Sequence, residues 1–225
     1  MSRRGLEERA LRSAIVETAL AMNAHGINRG KSGNVSARLR QDDVDGFLVT
    51  PTGLPYDRTT PDDIVAMTLE GKACGERLPS SEWRFHRDIY RTRADASAIV
   101  HTHAPFATTL ACHRRSIPAF HYMVAVAGGR DIRCADYATF GTQALSDLVL
   151  TALEGRRACL LAHHGMIAIG ASLEKALALA VEVETLAEMY WRALALGNPE
   201  NLPDAEMDIV LEKFATYGQP GEAEA

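Results

Sequence analysis

Ala98-Ile99-Val100-His101-Thr102-His103 is the stretch from which the rest of this 225-residue chain is read. Its first residues are apolar and β-branched, the character of a strand. Side chains two positions apart on a strand share a face, so the imidazoles of His101 and His103 can reach one ion. A lone His-x-His pair is more often two buried, hydrogen-bonded histidines, because a two-ligand site needs partners from elsewhere. A partner stands at His163-His164-Gly165, directly after a second apolar run, Ala158 to Ala162. Strand ends of this kind are where α/β folds present ligands.

Outward from these two strands, helix and strand signals alternate. Leu6 to Asn23 has helical spacing of its apolar residues and stops near Gly26, where glycine tolerates the left-handed conformation. A glycine-rich stretch, Gly30 to Ser36, precedes a strand at Phe47 to Thr50, closed by Pro51-Thr52-Gly53; Ile64 to Thr68 is another strand. Pro79-Ser80-Ser81-Glu82 is a helix start, with helix through Arg91. A short helix follows Pro105, another spans Gly141 to Leu153, and a long one runs from Ser172 as N-cap to Leu196, with Gly197 as stop. The last helix covers Asp204 to Ala215. With no repeat and no long linker, the chain reads as one α/β domain over residues 1–218, followed by a mobile polar tail, 219–225.

Composition narrows the function. Nearly half of the residues are apolar (47%) and 24% are charged, as in an ordinary globular chain with a sizeable core. A net charge of −5 argues against a nucleic-acid binder, which needs a basic face. No apolar run is long enough to cross a bilayer, and no apolar segment follows Arg3-Arg4, so neither membrane anchorage nor secretion is expected. Cys74, Cys112, Cys134 and Cys159 form no Cys-x-x-Cys and read as reduced thiols of a cytoplasmic protein.

Three histidines and a carboxylate make a zinc shell. Glu82 is the best-placed carboxylate, following two serines at a helix start where N–H groups favour anions. By itself it would be an ordinary first-turn charge; the combination shifts the reading. Three polar turns, Gly33-Asn34-Val35-Ser36, Thr50-Pro51-Thr52-Gly53 and Pro79-Ser80-Ser81, each offer N–H groups and a hydroxyl or amide to phosphate oxygens. Any one is weak, since turns favour these residues for conformational reasons. Together, beside a histidine-rich site, they suggest a phosphorylated substrate on a divalent ion. The chain's lysines (Lys31, Lys72, Lys175, Lys213) avoid apolar strands, which disfavours a Schiff-base route.

These stretches, with Leu78 to Trp83, Val100 to His103, His121-Tyr122-Met123, Tyr137 to Thr142, His163-His164-Gly165 and Lys213 to Gly218, resemble the class II aldolase and adducin head-domain family. The likeness is strongest to the branch that cleaves L-fuculose 1-phosphate and runs from the first helix to Gly218. It implies a single domain with a central, mainly antiparallel β-sheet flanked by helices. It also implies reversible cleavage of a ketose 1-phosphate to dihydroxyacetone phosphate and an aldehyde. L-Fuculose 1-phosphate and 5-deoxypentulose 1-phosphates, such as 5-deoxyribulose and 5-methylthioribulose 1-phosphate, are the implied substrates.

Residue by residue, the resemblance implies that His101, His103 and His164 bind one Zn2+ per subunit, with His163 a neighbour. Co2+ or Mn2+ would suit the same donors. Glu82 is implied as a fourth ligand that swings away to act as acid/base. Gly33, Asn34, Thr52, Gly53, Ser80 and Ser81 match a phosphate cradle, and Phe140 an aromatic at the aldehyde end. Tyr122, from a neighbouring subunit of a homotetramer, and Tyr217, on a mobile tail, match proton-handling tyrosines. Lys31 departs from the family's small hydroxyl residue beside the cradle, and Gln41 to Asp45 read as a small hairpin insertion. A ribulose-phosphate 4-epimerase or a methylthioribulose-1-phosphate dehydratase on the same scaffold is the alternative; a metal-free adducin-like scaffold is disfavoured by the retained histidines and Glu82.

Overall fold

In the computed structural model, which describes residues 3–41 and 44–216, the elements alternate much as their patterning predicts. The strands are β1 (Asn34–Gln41), β2 (Val44–Val49), β3 (Val65–Thr68), β4 (Ala73–Cys74), β5 (Ala98–Thr102), β6 (Cys134–Ala135), β7 (Ala158–Leu161) and β8 (Gly165–Gly170). The helices are α1 (Arg3–Ala24), α2 (Trp83–Thr92), α3 (Pro105–Cys112), α4 (Gln143–Ala152), α5 (Leu173–Leu194) and α6 (Asp204–Thr216). The strands join in one eight-stranded sheet of order β4-β3-β2-β1-β5-β8-β7-β6. Pairing is antiparallel except between β6 and β7, so the sheet is the mainly antiparallel one expected.

Both faces of this sheet are covered, which explains why β5 is buried throughout and its first three residues are all apolar instead of alternating. Ala98 and Val100 belong to the core that α1, α3 and α5 help to form, whereas Ile99 belongs to the core that includes Phe85 and Ile89 of α2 and Leu145 and Val149 of α4. Each large side chain buried this way contributes ~1.5–3 kcal/mol. His101 takes the same face as Ile99, its ring 5.5 Å from that of Phe85.

The long helix α5 is capped by Ser172, whose side chain accepts from Lys175 N at 3.2 Å. It buries Ala176, Leu179, Ala180, Val183, Leu186, Ala187 and Tyr190, a stripe at helical spacing. From this helix Glu184 accepts the backbone N–H groups of Phe106 and Ala107, each at 2.8 Å, and so ties down the corner between β5 and α3 that carries His103.

β1 and β8 are not foreseen by the sequence reading, which sees a glycine-rich stretch in one place and a histidine turn in the other. Asn, Ser, Ala and Arg in β1 are poor strand formers, and β8 begins and ends in glycine. Pairing on both sides, β1 with β2 and β5, β8 with β5 and β7, overrides that propensity. Gln41 pairs with Val44 across the expected hairpin; residues 42–43, like Tyr217 and the tail, lie outside the described residues. Among the described residues, no helix is long and apolar enough to cross a membrane.

Candidate active site

β5 delivers His101 from inside the sheet and His103 just beyond its end; the turn between β7 and β8 delivers His164. Their ring centroids form a near-equilateral triangle with sides of 5.1, 4.8 and 5.0 Å. One nitrogen from each lies within 4.8 Å of the others. His101 Nδ1 sits 2.9 Å from Met166 O, which can only accept, so Nδ1 carries the proton and Nε2 offers a lone pair to the cluster. His163 adopts φ 56°, an unusual left-handed conformation for a non-glycine residue, and this tight turn aims His164 inward. Gly165 is required beside it: a Cβ there would stand 2.5 Å from Thr102 O and 3.0 Å from His103 Cδ2.

Glu82 stands one residue ahead of α2 and makes no side-chain cap, so its carboxylate is available to the cluster. Oε2 lies 3.1 Å from His101 Nε2 and Oε1 3.2 Å from His164 Nε2. Yet Glu82 Oε1, His101 Nε2 and His103 Nε2 are buried with no hydrogen-bond partner, so these are contacts at ion-pair distance without hydrogen-bond geometry. Each such orphan costs ~1–3 kcal/mol in a folded chain. Orphans that converge from separate elements are a donor set shaped for a cation. Three imidazole nitrogens and a carboxylate oxygen fit a zinc-type ion, and equally cobalt or manganese.

Protonation supports the same reading. Burial would raise the Glu82 carboxyl, but His101, His164 and the Asn34 amide outweigh it and hold the group at about 2. Burial, then the nearby His101, pushes His103 down to about 4 and His164 to about 3; His86 falls to about 3 for the same reasons. At neutral pH the carboxylate is ionised and these rings are neutral, the state a metal requires. In the unfolded chain the rings take up protons as pH drops below ~6.5, while the folded chain still refuses them. Stability of the metal-free protein is therefore complete above ~pH 6.5 and falls as pH drops toward the folded values. A melting temperature that declines steadily between pH 7 and 5 is expected; a flat profile across that range would show that these rings are not held neutral.

The polar turns close over the same spot. Thr50 accepts Ser80 N at 3.0 Å, Thr52 N donates to Leu78 O at 3.1 Å, and Pro51 bridges Pro79, which stitches two of the turns together. They line a cavity of about 320 Å³ whose walls bring together Gly33, Asn34, Thr52, Gly53, Ser80, Ser81, Glu82, His103, His164 and Phe140. His101 lies fully buried behind it. Asn34 lines the cavity with its side-chain amide hydrogen-bonded to Glu82 and His86. Tyr122 is half-exposed and lines a different, apolar cavity with Val210 and Phe214 of α6.

Tyr137, His163 and His86 enter without having been singled out as site residues. Tyr137 and His163 line the cavity, their rings 5.9 Å apart. His86 lies one helical turn beyond Glu82, a spacing that alone would have placed both on one face. Lys31 also lines the cavity, its Nζ 3.0 Å from Gly53 O; among the described lining residues it is the one lysine or arginine.

Three comparisons with known proteins bear on this site. The family described as Class II Aldolase and Adducin N-terminal domain matches residues 13–191. A 5-methylthioribulose-1-phosphate/5-deoxyribulose-1-phosphate aldolase of Rhodospirillum rubrum is 57% identical over 93% of this chain and 93% of its own. The L-fuculose phosphate aldolase of Escherichia coli K12 is 51% identical over 95% of this chain and 98% of its own. A solved L-fuculose 1-phosphate aldolase superposes with a TM-score of 0.88 at 41% identity, covering 92% of this chain and 96% of that one.

Proposed function

Because the chain belongs to the class II aldolase and adducin N-terminal domain family and is an aldolase, a lyase, we propose that it reversibly cleaves a ketose 1-phosphate. The products are dihydroxyacetone phosphate and a short aldehyde. The observation that carries the reading is the convergence of orphaned donors from Glu82, His101 and His103, with His164 beside them, at the floor of a hydroxyl- and N–H-lined cavity. His101, His103 and His164 would hold zinc, with Glu82 as fourth donor in the resting site. A divalent ion there supplies a Lewis acid for the ketose carbonyl oxygen.

The chain's own residues then have defined tasks. Cleaving C3–C4 removes the proton of the C4 hydroxyl, leaves the bond pair on C3 conjugated with the C2 carbonyl, and requires a proton at C3. Glu82, ionised and facing the cavity, is the group assigned to C3. Tyr217 and a neighbouring subunit's Tyr122 are assigned to the oxygen at C4, in a homotetramer with sites at subunit interfaces. That assembly is supported by Tyr122 being half-exposed and lining a different cavity from the one beside Glu82 in its own chain. A cytoplasmic setting accords with the free cysteines.

Thr52, Gly53, Ser80 and Ser81 cradle the phosphate, with Gly33 and Asn34 at its edge, and Lys31 supplies the positive charge. Hydrogen bonds to charged groups contribute ~1.5–3 kcal/mol, or ~10–100-fold in affinity. Lys31→Ala and Ser81→Ala are therefore expected to raise KM ~10-fold or more with kcat nearly unchanged, since phosphate is held equally in ground and transition states. A fall in kcat at constant KM would remove both residues from the cradle.

Tyr137, Ala138 and Phe140 give the cavity an aromatic and apolar part of its lining, which favours an aldehyde with a short apolar end. That suits 5-deoxyribulose and 5-methylthioribulose 1-phosphates, and the methyl terminus of L-fuculose 1-phosphate. The test is aldehyde and dihydroxyacetone phosphate release from these ketoses and from ribulose 1-phosphate, with and without chelator. Chelator-sensitive release is expected, with ribulose 1-phosphate the poorest. Metal-loaded protein that releases nothing would instead point to an epimerase or a dehydratase.

A further inference from the structure

We propose that His86, which does not line the cavity, is a positioning residue that orients Glu82 through Asn34, within a one-way hydrogen-bond chain completed by Ser36 and Tyr90. The inference rests on the reading of Glu82 and the histidines as a metal site.

The direction of every bond in the chain follows from its first member. A carboxylate only accepts, so Asn34 presents Nδ2 to Glu82 Oε2 at 2.9 Å. That turns Asn34 Oδ1 toward His86 Nε2, 2.5 Å away, and an amide oxygen only accepts, so Nε2 carries the ring proton. Nδ1 of the neutral ring is then a lone pair, and Ser36 Oγ, at 2.7 Å, donates to it. Having given its proton, Ser36 Oγ accepts from the Tyr90 hydroxyl at 2.7 Å. All of these residues are buried: Asn34 is 3%, Ser36 0%, His86 0% and Tyr90 2% exposed.

The fold makes this chain with little machinery. Glu82, just ahead of α2, and His86 and Tyr90 within it recur at four-residue intervals, and Asn34 and Ser36 at a two-residue interval along β1, so one helical stripe meets one strand face. The consequence falls on Glu82. Without a donor at His86 Nε2, the Asn34 amide is free to turn over, and the hydrogen bond that fixes Glu82 Oε2 is lost. In this low-dielectric setting such networks act as units, so the tautomer of one buried ring sets the aim of a carboxylate two bonds away.

The experiment combines nitrogen-15 spectra of His86 in the zinc-loaded enzyme with zinc affinity, by chelator competition, and kcat and KM for His86→Leu, His86→Gln and Ser36→Ala. The spectrum is expected to show Nε2 protonated and Nδ1 bare. His86→Leu should weaken zinc ~10–100-fold, the usual effect of removing an outer partner, and lower kcat with little change in KM. His86→Gln, whose amide N–H can still reach Asn34 Oδ1, should restore most of both. An Nδ1-protonated ring, or glutamine no better than leucine, overturns the proposal. If His86→Leu fails to fold, Ser36→Ala decides: a mixed tautomer with weakened zinc supports the chain, and an unchanged tautomer with unchanged affinity overturns it. A parent enzyme that takes up no zinc sinks the metal reading itself, while the tautomer still tests the chain.

Discussion

Replacing Glu82 with glutamine should lower kcat by ~10²–10⁴, the usual worth of a positioned proton-transfer group, while the histidines still hold metal. Glutamine keeps the shape and can still accept from Asn34 Nδ2, so the buried chain behind it has no reason to collapse. What is lost is the basicity of a carboxylate that its surroundings keep ionised: His101, His164 and Asn34 together overcome the penalty of burial. Measurement of metal content beside kcat separates the two roles proposed for the residue. Metal retained with kcat reduced assigns Glu82 to proton transfer. Near-parental turnover with metal retained would remove it from the chemistry. Loss of metal would make it principally a ligand.

His164→Ala is expected to strip the metal and reduce activity by ~10³ or more, since Lewis-acid stabilisation is worth several kcal/mol and each ~1.4 kcal/mol is tenfold in rate. The ring is only partly enclosed and borders the cavity, so water can fill its place and folding should survive. The informative control is the adjacent His163→Asn. His163 is exposed on the surface of the turn, its Nε2 3.5 Å from Arg114 Nε, and asparagine tolerates its left-handed backbone. That variant should keep metal and most of its turnover. If instead His163→Asn lost the metal and His164→Ala kept it, the two neighbouring histidines would have exchanged roles.

Much of this site is legible before any coordinates, for local reasons. Period-two spacing puts His101 and His103 on one side of a strand. A short apolar run ending in histidines marks the next strand's exit, and Pro-Ser-Ser-Glu marks a helix start. Residue order also carries the resemblance, because each stretch is short and continuous. Such features depend on neighbours along the chain, and the eight-stranded sheet leaves them intact.

Other features depend on residues far apart in sequence, and no local pattern announces them. β1 is a strand only because β2 and β5 flank it, so its polar sequence reads as a turn until both partners are present. Asn34 looks like a cradle residue among glycines, yet packing of α2 on β1 commits its amide to Glu82 and His86, 48 and 52 residues away. Tyr122 matches a proton-handling position in sequence, but its own chain turns it toward α6, away from the metal-type donors. Donor types and their spacing are properties of short segments and were written in the residues. Which donors meet, which are left without partners, and which way a buried hydrogen-bond chain points arise from long-range pairing and burial. Only the tertiary structure decides those.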